Sequence, residues 1–493
     1  MGNTLLYTNS ESPVQDAQGL SWEEYTWSPL VWGVCLVGSV ILLAFPFGSF
    51  SQLPESAVIW GTTGVLFCLA VYAFRLAKEN GENPWITPMS LIIYYYFYRY
   101  GWGTLVAYYY DSLPWKYNPD MGEMFLRHGI KANLANTCHF LLLGGLGFFL
   151  GLGLSTRAIC DLLPKLRWPV DEERFKHNLV IYSPFAVFAY AFLGKSLEGG
   201  ELQYFISLFG WIIGVIFILG SYWLFTSSSV SERNRWLLFV VCLYASSLIL
   251  ACLTGSVGHF LFPLLFIIVG YILARRSLPK KLILISFILS FLVLLPILTI
   301  FKQEIEPLFF RRISNSIDKF IDIGFMGRTE IALERGLFRL SSVRLPAVFS
   351  QYYPNTFPYE HGNTFKIEIM AQIPRILWPQ KPNYALELNY YTYSIGMLDK
   401  PDQTSGIMDA ISEYYINFGI FGVFIFSLLH GYYFKILYDW LCRRSNYLIG
   451  ASVFLAIFFN NIDFNGLLNQ LARHVRMLLV WLVLLYQISK KTS

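Results

Sequence analysis

Apolar segments about as long as a bilayer is thick recur along almost the whole chain, and they restrict the folds open to it. A membrane-spanning helix needs about 20 largely apolar residues, and twelve segments approach this pattern. Their approximate bounds are 29–45, 58–74, 86–109, 136–154, 179–193, 205–225, 236–253, 258–273, 282–301, 416–433, 448–459 and 467–488. The chain of 493 residues is only 14% charged, against about 25% in soluble domains. The sequence therefore predicts an all-α polytopic membrane protein with about twelve transmembrane helices.

One long polar segment interrupts this array between the ninth and tenth predicted spans. We divide the chain into a tail over 1–27, a nine-helix membrane region over 28–301, a large loop over 302–415 and a three-helix membrane region over 416–493. A loop of this length is usually either functional or disordered. Because it is rich in Tyr, Phe, Ile and Leu, we expect it to fold and to carry the functional site.

The basic residues predict the orientation of the chain. They cluster in alternate connections, as at Arg75 and Lys78, and short basic connections lie in the cytoplasm. Both termini are therefore expected in the cytoplasm and the loop on the outer side. The connection with Lys116, Arg127 and Lys131 departs from this rule.

The net charge of +5 is too small to indicate binding to nucleic acid. The seven cysteines include no CxxC motif and no close pair, so they predict neither a disulfide framework nor a zinc site.

An arginine stripe is predicted in MGRTEIALERGLFRL, residues 326–340. In a helix, Arg328, Arg335 and Arg339 fall within roughly 40° of one another, and Glu330 and Glu334 lie on nearly the opposite side. Guanidinium groups suit phosphate because they are planar, always charged and bidentate. The stripe thus indicates a diphosphate-binding surface, and an ordinary basic face against lipid headgroups or carboxylates is the alternative. A glycine inside the segment makes the helix conditional.

The tract IPRILWPQKP, residues 373–382, holds Arg375 and Lys381 in a stiff segment, because its three prolines restrict the backbone. A rigid element suits a binding site, and a re-entrant or interfacial segment is the alternative. His361, which precedes Gly362 and Asn363, can act as a base near neutral pH or be incidental. Glu413, where SEYYINFGIFG enters the tenth span, can serve as a general base or as a charge favoured at a helix N-terminus.

Four further candidates are ionisable residues within predicted spans: Arg99, His259, Arg473 and Arg476. Such groups are costly in a membrane and are functional candidates by default. For Arg99, the alternative is a structural ion pair. For Arg473 and Arg476, it is snorkelling of the side chains to the membrane interface. For His259, it is a polar contact between helices.

Several familiar motifs are absent from the sequence. It has no Walker motif, no HExxH, no GxSxG and no acidic pair in the first outer loop. We therefore expect no ATPase, no metal-dependent glycosyltransferase of the acidic-motif kind, and no metal or cofactor.

The motifs IPRxLWPxKP at 373–382 and ExYxNFG at 413–419, supported by RGLFRL at 335–340, resemble the O-antigen polymerase (Wzy-type) family, or oligosaccharide repeat unit polymerases. The resemblance covers about the C-terminal 40% of the chain, and elsewhere only topology agrees. Relatives are expected to have an arginine in a GSRG-like stretch near 255–261, where this chain has His259.

The resemblance implies a multispanning glycosyltransferase (GT-C-like) of the bacterial inner membrane. It would move a growing glycan from undecaprenyl diphosphate onto a lipid-linked repeat unit at the outer face. The expected partners are undecaprenyl-diphosphate-linked oligosaccharides, the bilayer, a chain-length regulator and a flippase. A ligase with the same donor, a flippase for lipid-linked oligosaccharides, and a membrane assembly protein that uses the loop for docking are the alternatives.

Overall fold

A computed structural model describes most of the chain. The described residues are 54–90, 92–109, 116, 129–164, 172–188, 201–254, 258–303, 309–340, 342–371, 373, 377–382, 384–397, 408–443, 447–460 and 466–489. All regular structure in these residues is helical, which confirms the predicted all-α class. The predicted tail over 1–27 and the first predicted span, 29–45, lie outside them.

The first half of the fold consists of eight α-helices and one π-helical segment. They are α1 (Glu55–Glu79), the π-helix Ile92–Trp102, α2 (Gly103–Tyr108), α3 (Ile130–Gly153), α4 (Arg157–Leu162), α5 (Glu172–Phe188), α6 (Glu201–Thr226), α7 (Val230–Thr254) and α8 (Gly258–Arg275).

The second half contains the polar segment and the last apolar helices. Its elements are α9 (Lys280–Leu289), the π-helix Ser290–Leu294, α10 (Leu295–Gln303), α11 (Phe309–Asp322), α12 (Gly324–Leu340), α13 (Arg344–Tyr352), α14 (Asn363–Ala371), α15 (Tyr384–Ser394), α16 (Ala410–Tyr438), the π-helix Asp439–Arg443, α17 (Tyr447–Asn460) and α18 (Leu467–Ser489).

Six helical stretches in the described residues are long and apolar enough to cross a membrane. They are Glu55–Glu79, Asn133–Gly153, Val230–Leu250, Lys280–Phe301, Ala410–Cys442 and Leu467–Leu484. Three shorter apolar helices are Ile212–Thr226, Leu261–Arg275 and Tyr447–Phe459. These lengths and compositions are compatible with a membrane protein.

The predicted continuous helix over 86–109 is wrong at its start. Residues 80–89 form turns, and helix begins only near Ser90, continuing from Ile92 as a π-helix. Pro84 and Pro88 explain the difference, because proline lacks the N–H of a helix and keeps the residue before it out of helical geometry.

The closest helix packing is between α3 and α16. A Cβ on Gly147 would lie 2.5 Å from the carbonyl oxygen of Phe424. Gly151 approaches the carbonyl of Leu428 and Gly431 that of Phe148 in the same way. Glycines four residues apart let helix backbones touch, as in membrane helix pairs. This contact fixes α16, which carries most of the buried polar groups described below.

Helices of the polar segment pack onto the bundle at three places. At the first, α12 lies beside both the π-helix Ile92–Trp102 and the last turns of the α9–α10 span. At the second, α13 lies against α3 and α16, and at the third, α14 lies against α16 and α18. The described part of the loop is therefore folded, as its composition indicates.

Candidate functional site

The carboxyl groups of Glu368 on α14 and Glu413 on α16 are hydrogen-bonded to each other inside the protein. Glu368 is 4% exposed and Glu413 is 2% exposed. A carboxylate only accepts hydrogen bonds, so a bond between two carboxyl groups requires a proton on one of them. The pair therefore holds at least one proton.

Three helices converge on this carboxyl pair. The hydroxyl of Thr364 donates to Glu413 Oε1 at 2.9 Å, and the backbone N–H of Asn469 donates to Glu368 Oε2 at 3.1 Å. Gly466, just before α18, lies directly against Glu413 Oε2, where any side chain would collide.

Burial raises the pKa of Glu368 to about 7, although the hydrogen bonds that Glu368 makes with Asn469 and Glu413 oppose this shift. Such a group exchanges protons near neutral pH.

Helix α16 is interrupted one turn beyond Glu413. Phe418 and Gly419 have non-helical backbone angles, and Gly419 has φ +64°, a conformation that favours glycine. The carbonyl oxygens of Ile416 and Asn417 accept hydrogen bonds from the backbone N–H groups of residues 360 and 361, at 2.8 and 3.1 Å. The segment before α14 thus satisfies carbonyls that the interruption releases.

Asn417 joins the interruption to the carboxyl pair. Its side chain is fully buried. Its Nδ2 donates to Thr364 Oγ1 at 2.6 Å and to the carbonyl oxygen of Glu413 at 2.7 Å. Its Oδ1 accepts from the N–H of Gly362 at 2.9 Å. Thr364 Oγ1 accepts a hydrogen bond from Asn417 and donates its hydroxyl proton in a hydrogen bond to Glu413.

A third buried acid lies at the start of α16. Asp409 accepts from the Tyr100 hydroxyl at 2.6 Å and from the N–H of Ser412 at 3.0 Å, so it caps the helix. Arg99 interacts electrostatically with Asp409. Asp409 in turn acts on Glu413. Arg99 thus acts on the buried acid that caps α16.

Two buried histidines extend polar contacts between α16 and α18. The Tyr414 hydroxyl lies 2.9 Å from His430 Nδ1, and His430 Nε2 lies 2.9 Å from Gln470 Oε1. The Tyr433 hydroxyl lies 2.7 Å from His474 Nδ1. Neutral interhelical contacts of this kind hold apolar helices together.

The arginine segment forms the helix α12, which runs through Gly336 without a break. Arg328 is turned back onto α11: its guanidinium carbon lies 3.9 Å from the centre of the Phe320 ring, and its Nε donates to the Phe320 carbonyl at 2.9 Å. Arg335 is half-buried, and the side chain of Arg339 lies outside the described residues. Arg328 thus acts as a cap on a neighbouring helix.

Lys381 has a similar local role. Its ammonium donates to the carbonyl oxygens of Ala371 and Ile373, at 3.0 and 2.7 Å, at the C-terminal end of α14. It therefore ties the proline tract to the helix that carries Glu368. Arg375 lies outside the described residues.

The other predicted site residues stand apart from the pair or lack a described side chain. His361 has an exposed side chain and φ +48°, and only its backbone is close to the interruption. Arg473 acts electrostatically on His474, and Arg476 Nε donates to the Ala472 carbonyl at 3.2 Å. His259 lies in α8, and its side chain is outside the described residues.

Sequence reasoning assigned no role to three of the buried residues that form the site, although one of them, Asn417, belongs to the ExYxNFG motif. Glu368 is an isolated acid among apolar residues, and this is the signal that could have marked it. Asp409 precedes the predicted tenth span and fits a helix-capping pattern. Asn417 stands two residues before the glycine of the interruption. No local pattern indicates that Glu368 meets Glu413.

Residues 60–488 match a family described as a domain of unknown function, DUF8712. The match covers most of the chain, so the protein belongs to this family. No curated protein and no solved structure matches the chain.

Proposed function

We propose that this protein is a polysaccharide polymerase of the bacterial inner membrane. The growing glycan is transferred from undecaprenyl diphosphate onto an incoming lipid-linked repeat unit at the outer face. A hydroxyl of the acceptor attacks the anomeric carbon of the donor, and the bond from that carbon to the diphosphate oxygen breaks. The hydroxyl proton passes to the carboxyl pair, and undecaprenyl diphosphate leaves. The proposal includes about twelve spans in a GT-C-like arrangement and both termini in the cytoplasm.

The carboxyl pair is the observation that carries this proposal. A sugar hydroxyl is a weak nucleophile, and a general base is most effective when its pKa is close to the working pH. The pKa of Glu368 is about 7, and Glu368 is bonded to Glu413. In its singly protonated form the pair has one carboxylate to accept the proton. Thr364 and Asn417 hold Glu413 in a single orientation.

Cationic groups of α12 and the proline tract are proposed to bind the diphosphate. A leaving diphosphate needs positive charge where negative charge develops. We assign this role to Arg335, Arg339 and Arg375. Arg328 and Lys381 support them, because both hold the polar segment together through carbonyl contacts.

The resemblance to the polymerases agrees with this reading at three positions. Glu413, Asn417 and Gly419 belong to the ExYxNFG motif, and they form one acid of the pair, the group that orients it and the interruption of α16. A ligase would use the same donor with a different acceptor.

A proton-coupled flippase for lipid-linked oligosaccharides is the second candidate. It is favoured by the combination of an interrupted apolar helix and a buried, proton-holding pair beside it. Transporters bind substrates and coupling ions at discontinuous helices of this kind.

The test uses full-length protein in proteoliposomes with lipid-linked repeat units and no ATP. A polymerase forms a glycan ladder, and Glu413→Gln should lower the initial rate about 100-fold or more. Glu330→Gln, which removes a carboxyl of α12, is the matched control and should elongate normally. Movement of the lipid-linked unit across the bilayer without elongation would instead identify the flippase.

Deletion in the host distinguishes the remaining activities by gel analysis of the surface polysaccharide. Loss of long chains with single repeats retained indicates a polymerase. Loss of all surface attachment indicates a ligase, and loss of export indicates a flippase.

A further inference from the structure

Helix α11 is divided lengthwise into an apolar and a polar face. Positions 309, 310, 313, 317, 320 and 321 are apolar, and at 100° per residue they share one side of the helix. Part of that side faces inward, because Phe320 is buried. The remainder faces outward, with Ile317 44% and Ile321 60% exposed. The helix therefore presents an apolar edge that the described part of the protein does not cover.

The depth of α11 follows from what Phe320 contacts. Phe320 forms a small core with Ile300 and Ile331, against which Val293 and Ile297 pack. Residues 293–300 are the last two turns of the candidate span Lys280–Phe301. Two turns measure about 10 Å. Helix α11 therefore lies beside the end of this span, at the depth where interfacial helices bury their apolar face.

Helix α12 also begins with exposed apolar side chains. Gly324, with φ +68°, turns the chain between the two helices. Phe325 and Met326 follow it and are 63% and 71% exposed. Arg328 holds the turn closed by stacking on Phe320 and by bonding to its carbonyl. Exposed apolar side chains thus lie on both sides of this turn.

We propose that α11 and the first turn of α12 form an in-plane anchor in the membrane interface. Ile317, Ile321, Phe325 and Met326 enter the acyl-chain boundary, and the polar face of α11 lies at the headgroups. By helical phase, the sequence assigns three basic residues (Arg311, Arg312 and Lys319) and two acidic ones (Asp318 and Asp322) to that face, a net +1. Apolar burial therefore dominates, and the anchor should depend little on anionic lipid. This inference is independent of the proposed catalytic activity.

Site-directed spin labelling of the full-length protein tests the anchor. The seven native cysteines are replaced, and single cysteines are introduced by Ile317→Cys, Ile321→Cys, Asn315→Cys and Asp318→Cys. All four positions are exposed on the protein. The variants are labelled, reconstituted in phosphatidylcholine vesicles and checked for a monodisperse elution profile.

Labels at 317 and 321 should collide more with oxygen than with a water-soluble nickel chelate, and labels at 315 and 318 should show the reverse. Adding one third phosphatidylglycerol should leave the pattern unchanged. Equal access of the chelate to all four labels would overturn the proposal. Immobile labels with dipolar broadening at 317 and 321 would overturn it too, because a second copy of the chain would then cover this edge.

Discussion

Glu368 and Glu413 share a hydrogen bond although they lie on different helices, one from the polar segment and one at the start of an apolar helix. The bond joins the two parts of the protein through a proton. Loss of that proton would place two like charges side by side in a dry environment, which is unfavourable. The protonation of this pair is therefore linked to the attachment of α14 to the bundle.

The stability of the protein should decrease as the pH rises from acidic to neutral. The pKa of Glu368 is about 7 when folded, against 4.5 for an ordinary glutamate. Between these values the folded state binds more protons than the unfolded chain, so stability is fully present below the lower value and is lost as the pH rises through the higher one. The loss is on the order of 3 kcal/mol.

Thermal unfolding midpoints measured from pH 4.5 to 8 would reveal this dependence. Glu368→Gln should flatten the curve, because glutamine does not titrate, whereas Glu330→Gln should keep the wild-type slope. An unchanged slope in Glu368→Gln would show that other groups cause the dependence.

Gly419→Ala should destabilise the protein. Its φ of +64° and ψ of −152° belong to a region that is essentially restricted to glycine, and a Cβ would lie 2.9 Å from the Tyr359 hydroxyl. The expected cost is about 1–3 kcal/mol, measured as a lower unfolding midpoint in detergent. Gly64→Ala in α1 is the control, because a Cβ there meets nothing within 4 Å. Equal midpoints for the two variants would contradict the interpretation of the interruption.

The sequence predicts the helices well because apolar length and helical periodicity are local properties. The segment 467–488, for example, was expected as a helix and forms α18, Leu467–Ser489. Residues 86–89, the start of the third predicted span, form bends and turns instead of helix. The tenth predicted span begins at Ala410 instead of residue 416, because Asp409 caps the helix before its apolar part.

The site was predicted only in part because its contacts join distant residues. Glu413 was singled out from its motif, but its partner Glu368 carries no matching signal. Arg328 fits the arginine stripe by phase, yet its guanidinium stacks on Phe320. Helical phase predicts which side chains share a face, and it does not predict which neighbouring element that face meets.

Gly151→Ala should disrupt the packing of α3 on α16. A Cβ at this position would collide with the carbonyl of Leu428, and a backbone atom cannot move aside as a flexible side chain can. Overpacking of this kind costs about 1–3 kcal/mol. The control is Gly153→Ala, two residues further along the same helix, where a Cβ meets nothing within 4 Å. Its unfolding midpoint should be unchanged or slightly higher, and a similar decrease in both variants would contradict a close α3–α16 contact.

The variants Arg328→Gln and Arg335→Gln should differ in how strongly they lower elongation, although both residues belong to the predicted stripe. Arg328→Gln removes the stacking on Phe320 and the bonds to the carbonyls of Phe320 and Ile321. We expect the free energy of unfolding to decrease by about 1–2 kcal/mol and the unfolding midpoint to fall. The elongation rate per folded molecule should stay close to that of the wild type. Arg335→Gln should lower elongation per folded molecule at least tenfold, because its proposed role is to bind the diphosphate. Donor concentration series with both variants would check this, since a binding role raises the KM for the donor. Wild-type elongation by Arg335→Gln would remove this residue from the proposed diphosphate site.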